Sequence, residues 1–323
     1  MRAVVCREYG PPEMLRVEDV PRSEPRAQEV VVKVAAAAVN FPDVLIINNL
    51  YQVSIPLPFT PGSEFSGIVS AVGSDVTKVA VGDRVFGSSM TGAFAEYAVS
   101  VESGIRAVPA GVDLQSTAGF WVAHMTAYHA LRSVAEVKAG DKVVVLGAAG
   151  GVGLAAVELA AVLGAEVIAA GSSDEKLAIC RQRGATHAIN YDTSDLRDAI
   201  REFAPDGADV VIDPVGGPYA ERALRATRWG GRFVTVGFAA GEIPKIPLNL
   251  VLLKGVIIKG FEIRTFGHYA PELAARDERE LLELLASGRV IPHVSSVHSL
   301  DNAAAALREV ADRRAIGKVL IAP

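Results

Sequence analysis

The sequence predicts an α/β chain of two domains, a compact β domain and a doubly wound parallel sheet, on three observations. Residues 141–170 read as strand, glycine turn, helix and strand. Beyond them, short apolar runs keep alternating with helical segments of about ten residues. Before about residue 120, short β-rich runs are separated instead by Pro, Gly and Asp turns, the rhythm of a mostly antiparallel domain.

The β-rich runs fall at residues 2–7, 29–38, 67–72, 84–86 and 93–99, and Pro56, Pro58 and Pro61 constrain the loop over 51–62. Over 116–131 the pattern turns helical. Residues 142–146 are short and β-branched, as suits a strand buried on both faces. Gly147, Gly150, Gly151 and Gly153 then make a turn that keeps side chains clear of a ligand. Small residues over 152–163 (Ala155, Ala156, Ala160, Ala161) let a helix lie close to the sheet, Gly164 ends it, and 166–170 begins the next strand. In such a βαβ unit the backbone N–H groups at the helix N-terminus receive a pyrophosphate, which makes Gly150, Gly151 and Val152 candidate cofactor contacts. The spacing is G-x-x-G-x-x-G rather than G-x-G-x-x-G, so the strand-turn-helix context carries the inference; a Gly/Ala-rich buried turn without a ligand is the alternative.

The alternation continues with a helix over 176–184, a strand over 187–190, a helix over 196–203, a strand over 208–213, a helix over 219–227 and a strand over 232–236. Residues 248–260 are apolar apart from Lys254, Gly255 and Lys259, suiting a dimer-forming edge or a cover over the cofactor. An amphipathic helix over 272–286 precedes a run over 290–297, a helix over 300–312 and a strand over 318–322 that return to the first domain. The expected domains are 1–122 with 264–323, and 123–263.

A length of 323 residues, half of them hydrophobic and 21% charged, describes a globular chain with ample core. A net charge of −5 argues against binding driven by nucleic-acid phosphates. Cys6 and Cys180 have no partner spacing, so neither a structural zinc site nor a disulfide framework is expected, and a reducing cytoplasm suits them. The N-terminus lacks a signal-peptide apolar region, and residues 143–157 are too short and glycine-rich to span a bilayer, so a soluble protein is expected.

Cofactor choice is legible at the end of the second strand, where NAD enzymes usually carry an acid for the ribose 2′-OH. Here Ala169-Ala170-Gly171-Ser172 carries none, and Lys176 follows. Ser172 can donate to a 2′-phosphate while Lys176 supplies charge. Two charge-assisted hydrogen bonds at about 1.5–3 kcal/mol each favour NADPH by about two to four orders of magnitude. The competing roles are an S-x-x-E capping box for Ser172 and a solvated helix face for Lys176. Phe238, just after the strand over 232–236, should border the nicotinamide, because ligands sit at strand carboxyl ends.

Six motifs in order, A-A-A-V-N-F-P-D (36–43), P-G-S-E-F-S-G-I-V (61–69), V-G-D-R-V-F-G (81–87), M-T-A-Y (125–128), G-A-A-G-G-V-G (147–153) and G-A-T-H-A-I-N-Y (184–191), make the chain similar to zinc-free quinone oxidoreductases, the zeta-crystallin group of the medium-chain dehydrogenase/reductase superfamily. The resemblance spans essentially the whole chain. It implies a GroES-like β domain plus a Rossmann domain, with the active site in the cleft between them. Zinc-dependent relatives carry a Cys near Asn40, a His near Ser63 and four clustered cysteines; Asn and Ser are poor zinc ligands, so no metal is expected.

The resemblance also implies roles for particular residues. Asn40, Asp43 and Tyr51 lie in the stretch that lines the substrate site: Asn40 to reach the nicotinamide or the acceptor carbonyl, Tyr51 to donate to a substrate oxygen. The alternatives are a loop-satisfying amide for Asn40, a cap on a helix starting at Val44 for Asp43, and core packing for Tyr51. Thr126 and Tyr128 match positions near the nicotinamide ribose and ring, Tyr191 packs near the ribose phosphate, and Arg314 resembles a C-terminal phosphate-binding arginine, against plain packing for Tyr128 and a surface charge for Arg314. Glu64 is read as structural, His124 and His129 as packed or exposed, and Cys180 as core. The implied activity is NADPH-dependent transfer of hydride, or of single electrons, to quinones or other conjugated carbonyls. An enoyl-thioester (acyl-CoA) reductase and a non-catalytic NADPH-binding structural or RNA-binding protein are the alternatives. For the thioester, Lys245, Lys254, Lys259 and Arg264 offer a basic entry. A homodimer through residues 248–261 is expected.

Overall fold

The computed structural model describes residues 1–323, which form two compact units, 1–122 with 291–323 and 123–290. In the first unit, β1 (Arg2–Val5) and β2 (Arg16–Asp19) form a ribbon. β3 (Glu29–Val39), α1 (Phe41–Ile47), β4 (Glu64–Val72), β5 (Arg84–Ser88), β6 (Tyr97–Val101), β7 (Ile105–Ala107) and α2 (Leu114–Thr117) follow. β3 organises this unit. Its 11 residues pair antiparallel with β4 along one edge and with β6 over 29–33 along the other. Val30, Val31 and Val32 are all buried, the mark of a strand covered on both faces.

The second unit begins at Ala123 within α3 (Trp121–His129), which runs into one π-helical turn at Ala130–Val134. Then come β8 (Lys142–Leu146), α4 (Gly151–Val162), β9 (Glu166–Gly171), α5 (Asp174–Gln182), β10 (His187–Asn190), α6 (Leu196–Phe203), β11 (Ala208–Asp213), α7 (Gly217–Ala226), β12 (Thr227–Thr235), α8 (Leu248–Lys254), β13 (Ile257–Gly260), α9 (Ile263–Tyr269) and α10 (Pro271–Ala286). The six strands are parallel in the order β10-β9-β8-β11-β12-β13. Because β8 pairs with both β9 and β11, the winding reverses there, which opens a crevice beyond the carboxyl ends of β8 and β11.

The chain then returns to the first unit as β14 (Val294–Ser299), α11 (Ala303–Ala311) and β15 (Lys318–Ala322); β15 pairs antiparallel with β3 at Ala37, Ala38 and Val39. The division falls at 290/291 rather than at the expected 263/264. Carboxylates explain the difference: Asp277 and Glu280 of α10 bind His129, Ser133, Tyr128 and Arg132, all in the second unit. The helical stretch expected over 116–131 is divided by a turn at Ala118–Phe120. No helix is long and apolar enough to cross a membrane.

Candidate functional site

In the second unit the glycine turn has the geometry its sequence suggests. Gly147 sits at φ +56°, and a Cβ there would meet Val215 Cγ2 at 2.6 Å. A Cβ on Gly153 would lie 2.2 Å from the Gly147 carbonyl oxygen, so only glycine lets α4 come this close to the turn. Gly150 caps α4 with no side-chain hydrogen bond, leaving the N–H groups of Gly151, Val152 and Gly153 at the head of a 12-residue helix. Such a terminus attracts anions. Across the reversal point, Asp213 ends β11 fully buried. Its Oδ1 accepts from the N–H of Val215 and Gly216 at 2.8 Å each, and its Oδ2 has no partner. Burial pushes its pKa up against those two bonds.

At the neighbouring corner, β9 and β10 end in register, Gly171 beside Asn190, and the Tyr191 N–H donates to the Gly171 carbonyl at 3.0 Å. Ser172 is exposed at the tip of β9. The capping box that competed for Ser172 does not form: Ser173 is the N-cap of α5, because the chain stays extended one residue longer. Of the two acids that open α5, Asp174 accepts from Asn190 at 3.1 Å. Lys176 is half-buried; desolvation lowers its pKa and the Glu175 charge opposes the fall. The Tyr191 ring packs on Tyr219 with centroids 4.2 Å apart. Phe238 follows β12, and a Cβ on Gly216 would touch its ring at 2.9 Å. The glycine cradle, the uncapped helix and the acid-free tip of β9 therefore fit a phosphorylated dinucleotide.

On α3, Thr126 is half-buried and Tyr128 is buried. The Tyr128 hydroxyl donates to Glu280 Oε2 at 2.7 Å, and burial together with that bond raises its pKa. His124 and His129 are buried beside carboxylates, with His129 Nδ1 2.8 Å from Asp277 Oδ2 and His124 Nε2 3.5 Å from Glu158 Oε2. Burial disfavours the Asp277 charge, but bonds from His129, Ser133 and Arg276 outweigh it and hold the carboxyl below its usual range.

In the first unit a second cluster gathers around the N-terminus of α1. The helix starts at Phe41, earlier than the Val44 expected, with Asn40 as its N-cap. Asp43 Oδ2 accepts the Asn40 N–H at 2.7 Å, so Asp43 does serve the helix start. Asp43 is buried with Oδ1 unpartnered; desolvation raises its pKa to about 7 against the Asn40 N–H, Ser63 and the Lys318 charge, with Glu64 adding to the rise. Asn40 Nδ2 donates to Glu64 Oε2 at 3.1 Å, and Lys318 Nζ donates to Asn40 Oδ1 at 2.6 Å and to Glu64 Oε2 at 3.2 Å. Sequence reasoning missed Lys318. Its signal was a lone lysine opening the apolar strand K-V-L-I-A. Tyr51 is half-buried in the bend after α1, and Arg314 is exposed in the turn after α11, 3.2 Å from Asp312.

The basic residues expected near a thioester entry do not form a free patch. Lys254 donates to the Thr227 carbonyl and Lys259 to the Val134 carbonyl, each at 2.7 Å, and Arg264 pairs with Glu262 at 3.0 Å. Of the four, Lys245 and Arg264 are exposed, whereas Lys254 and Lys259 are half-buried.

Comparison with known proteins agrees with this geometry. The family model for the alcohol dehydrogenase GroES-like domain matches residues 26–110, and the one described as zinc-binding dehydrogenase matches 151–287. The chain is 38% identical to "quinone oxidoreductase-like protein 2" of Mus musculus, over 99% of this chain and 91% of that protein. It is 34% identical to a Pseudomonas aeruginosa protein named quinone oxidoreductase, over 98% and 97%. Among solved structures, Escherichia coli quinone oxidoreductase complexed with NADPH superposes with a TM-score of 0.93 at 28% identity, covering 100% of both chains.

Proposed function

Since the chain belongs to the quinone oxidoreductase family of the medium-chain dehydrogenase/reductase superfamily, we propose that it is an NADPH-dependent, zinc-independent reductase of quinones and related conjugated carbonyls. The observation that carries this reading is the tip of β9: Ser172 exposed, Lys176 in the first turn of α5, and no acid where a ribose 2′-OH would be recognised. The NADPH complex of the Escherichia coli relative supports the same choice.

When bound, NADPH supplies the hydride. Gly150, Gly151 and Val152 present backbone N–H groups to its pyrophosphate, and Ser172 and Lys176 bind its 2′-phosphate with Tyr191 packed beside them. Phe238 and Thr126 border the nicotinamide end, and Arg314 adds phosphate contact. Asn40 donates to the acceptor oxygen, Tyr51 is a second hydroxyl donor, and Asp43 holds Asn40 through the 2.7 Å bond to its N–H. Polarising the acceptor oxygen and holding it in register is the catalytic contribution of these groups. Zinc independence follows from the donor set: the Asn40 amide and the Ser63 hydroxyl are poor zinc ligands, and the Lys318 ammonium 2.6 Å from Asn40 Oδ1 would repel a divalent ion.

Trp229, Leu248, Leu252 and Leu253 are 77%, 79%, 81% and 73% exposed beside the edge strand β13, an apolar face that a second copy of the chain would cover. Two buried free cysteines suit a reducing cytoplasm. The test of the activity is NADPH oxidation with 1,2-naphthoquinone, an enone and crotonyl-CoA in parallel. The reading expects turnover with the first two, and crotonyl-CoA as the sole substrate would overturn it.

A further inference from the structure

Asn40 is assigned above to the acceptor, yet its side chain is gripped by buried charges that this assignment does not use. We propose that Lys318 is a positioning residue for the reduction: together with Glu64 it locks the Asn40 amide so that its nitrogen, not its carbonyl oxygen, is the edge offered to the acceptor. The inference rests on the assignment of Asn40 to that role.

An amide is nearly symmetric in shape, so rotation by half a turn exchanges its oxygen and its nitrogen at little steric cost. Here the two neighbours remove that freedom. An ammonium can only donate, and Lys318 Nζ faces Asn40 Oδ1; a carboxylate can only accept, and Glu64 Oε2 faces Asn40 Nδ2. A flipped amide would set N–H groups against the ammonium and a carbonyl against the carboxylate, both repulsive, where Lys318 is 3% exposed and Glu64 fully buried. Glu64 is itself fixed, its Oε1 accepting the Val122 N–H at 2.8 Å. The second hydrogen of Asn40 Nδ2 has only Ser63 Oγ, at 3.5 Å, the outer limit of a hydrogen bond. That hydrogen is what a better acceptor can claim.

The protein makes room for this lysine. A Cβ on Gly119 would press on the Lys318 stem, 2.9 Å from Cγ, 3.0 Å from Cβ and 3.1 Å from Cε. A buried ammonium is costly unless paired, and an apolar residue would serve a plain core position better. Such a pair is better explained by the orientation it imposes than by the stability it adds.

The experiment is a mutant cycle read in kcat and KM for 1,2-naphthoquinone, with NADPH-induced rise in melting temperature confirming that each variant is folded. Lys318→Met is combined with Glu64→Gln so that no unpaired charge stays buried, and the pair is made alone and with Asn40→Ala. Gly119→Ala, which displaces only the lysine stem, is run in the same two backgrounds. The expected result is a fall in kcat on the order of 10–100-fold for the pair and a smaller fall for Gly119→Ala, both vanishing to within about twofold once Asn40 is Ala. Losses of equal size in both backgrounds would overturn the proposal. So would an unchanged kcat in pair and Gly119→Ala while Asn40→Ala alone is impaired. An unchanged kcat in Asn40→Ala itself would overturn the assignment of Asn40, and the proposal with it.

Discussion

The α-carbon of Gly153 faces the carbonyl oxygen of Gly147 so closely that a Cβ there would lie 2.2 Å away. Gly153→Ala must therefore push the head of α4 off the turn it shares with β8. Overpacking of this kind costs about 1–3 kcal/mol. Carried into cofactor binding, that cost should raise the dissociation constant for NADPH, measured by fluorescence titration, by about 5- to 150-fold, since 1.4 kcal/mol is one decade.

Tyr128 gives its hydroxyl to Glu280, so removing that oxygen should be felt as stability rather than as chemistry. Tyr128→Phe is expected to hold kcat within about threefold while costing about 1 kcal/mol or more, because Glu280 loses a buried donor. Thermal unfolding and steady-state rates measured side by side check this.

Asp43 links stability to pH. Its folded pKa, about 7, lies above the ordinary 3.8, so between those values the folded chain holds a proton that the unfolded chain releases. The stabilisation is complete below about pH 4 and fades as pH rises toward 7, by on the order of 4 kcal/mol at most. Asp43→Asn should remove this slope. The difference in melting temperature between variant and wild type, followed from pH 4 to 8, should shift in favour of the variant as pH rises. A constant difference would contradict the burial of a protonated Asp43.

Leu252 and Leu253 expose 81% and 73% of their surface next to the free edge of β13. Leu252→Glu with Leu253→Lys should halve the mass seen by light scattering if a second copy covers this face. Monomeric wild type would refute the dimer.

The second unit was legible in the sequence because buried parallel strands are short apolar runs that need no knowledge of their partners. Lys142–Leu146 and Ala208–Asp213 form over the residues that the pattern marks, as does the half-buried edge strand His187–Asn190. Where strands depend on distant pairing the pattern fails. Residues 93–95 look like the start of a strand, but Ala95 makes a lone bridge to Ala3 and β6 begins at Tyr97. Gly231 and Gly230 hide the first half of β12. The Asn40 cluster was half visible: Asn40 and Asp43 stand out beside a helix start, whereas Lys318 lies 278 residues from Asn40 and 254 from Glu64. No local spacing could join them. The carboxylates of α10 are similar, since their partners on α3 lie about 150 residues earlier and nothing in an amphipathic helix announces them.

The claim on which the functional account turns is that the corner at Ser172 and Lys176 holds the 2′-phosphate. Titration of NADPH against NADH by equilibrium binding, on wild type and on Lys176→Ala, tests it most directly. The account predicts that wild type binds NADPH about 10²–10⁴-fold more tightly, and that Lys176→Ala loses most of this preference with NADH affinity unchanged. Equal affinity of the wild type for the two cofactors, or an undiminished preference in Lys176→Ala, would contradict it.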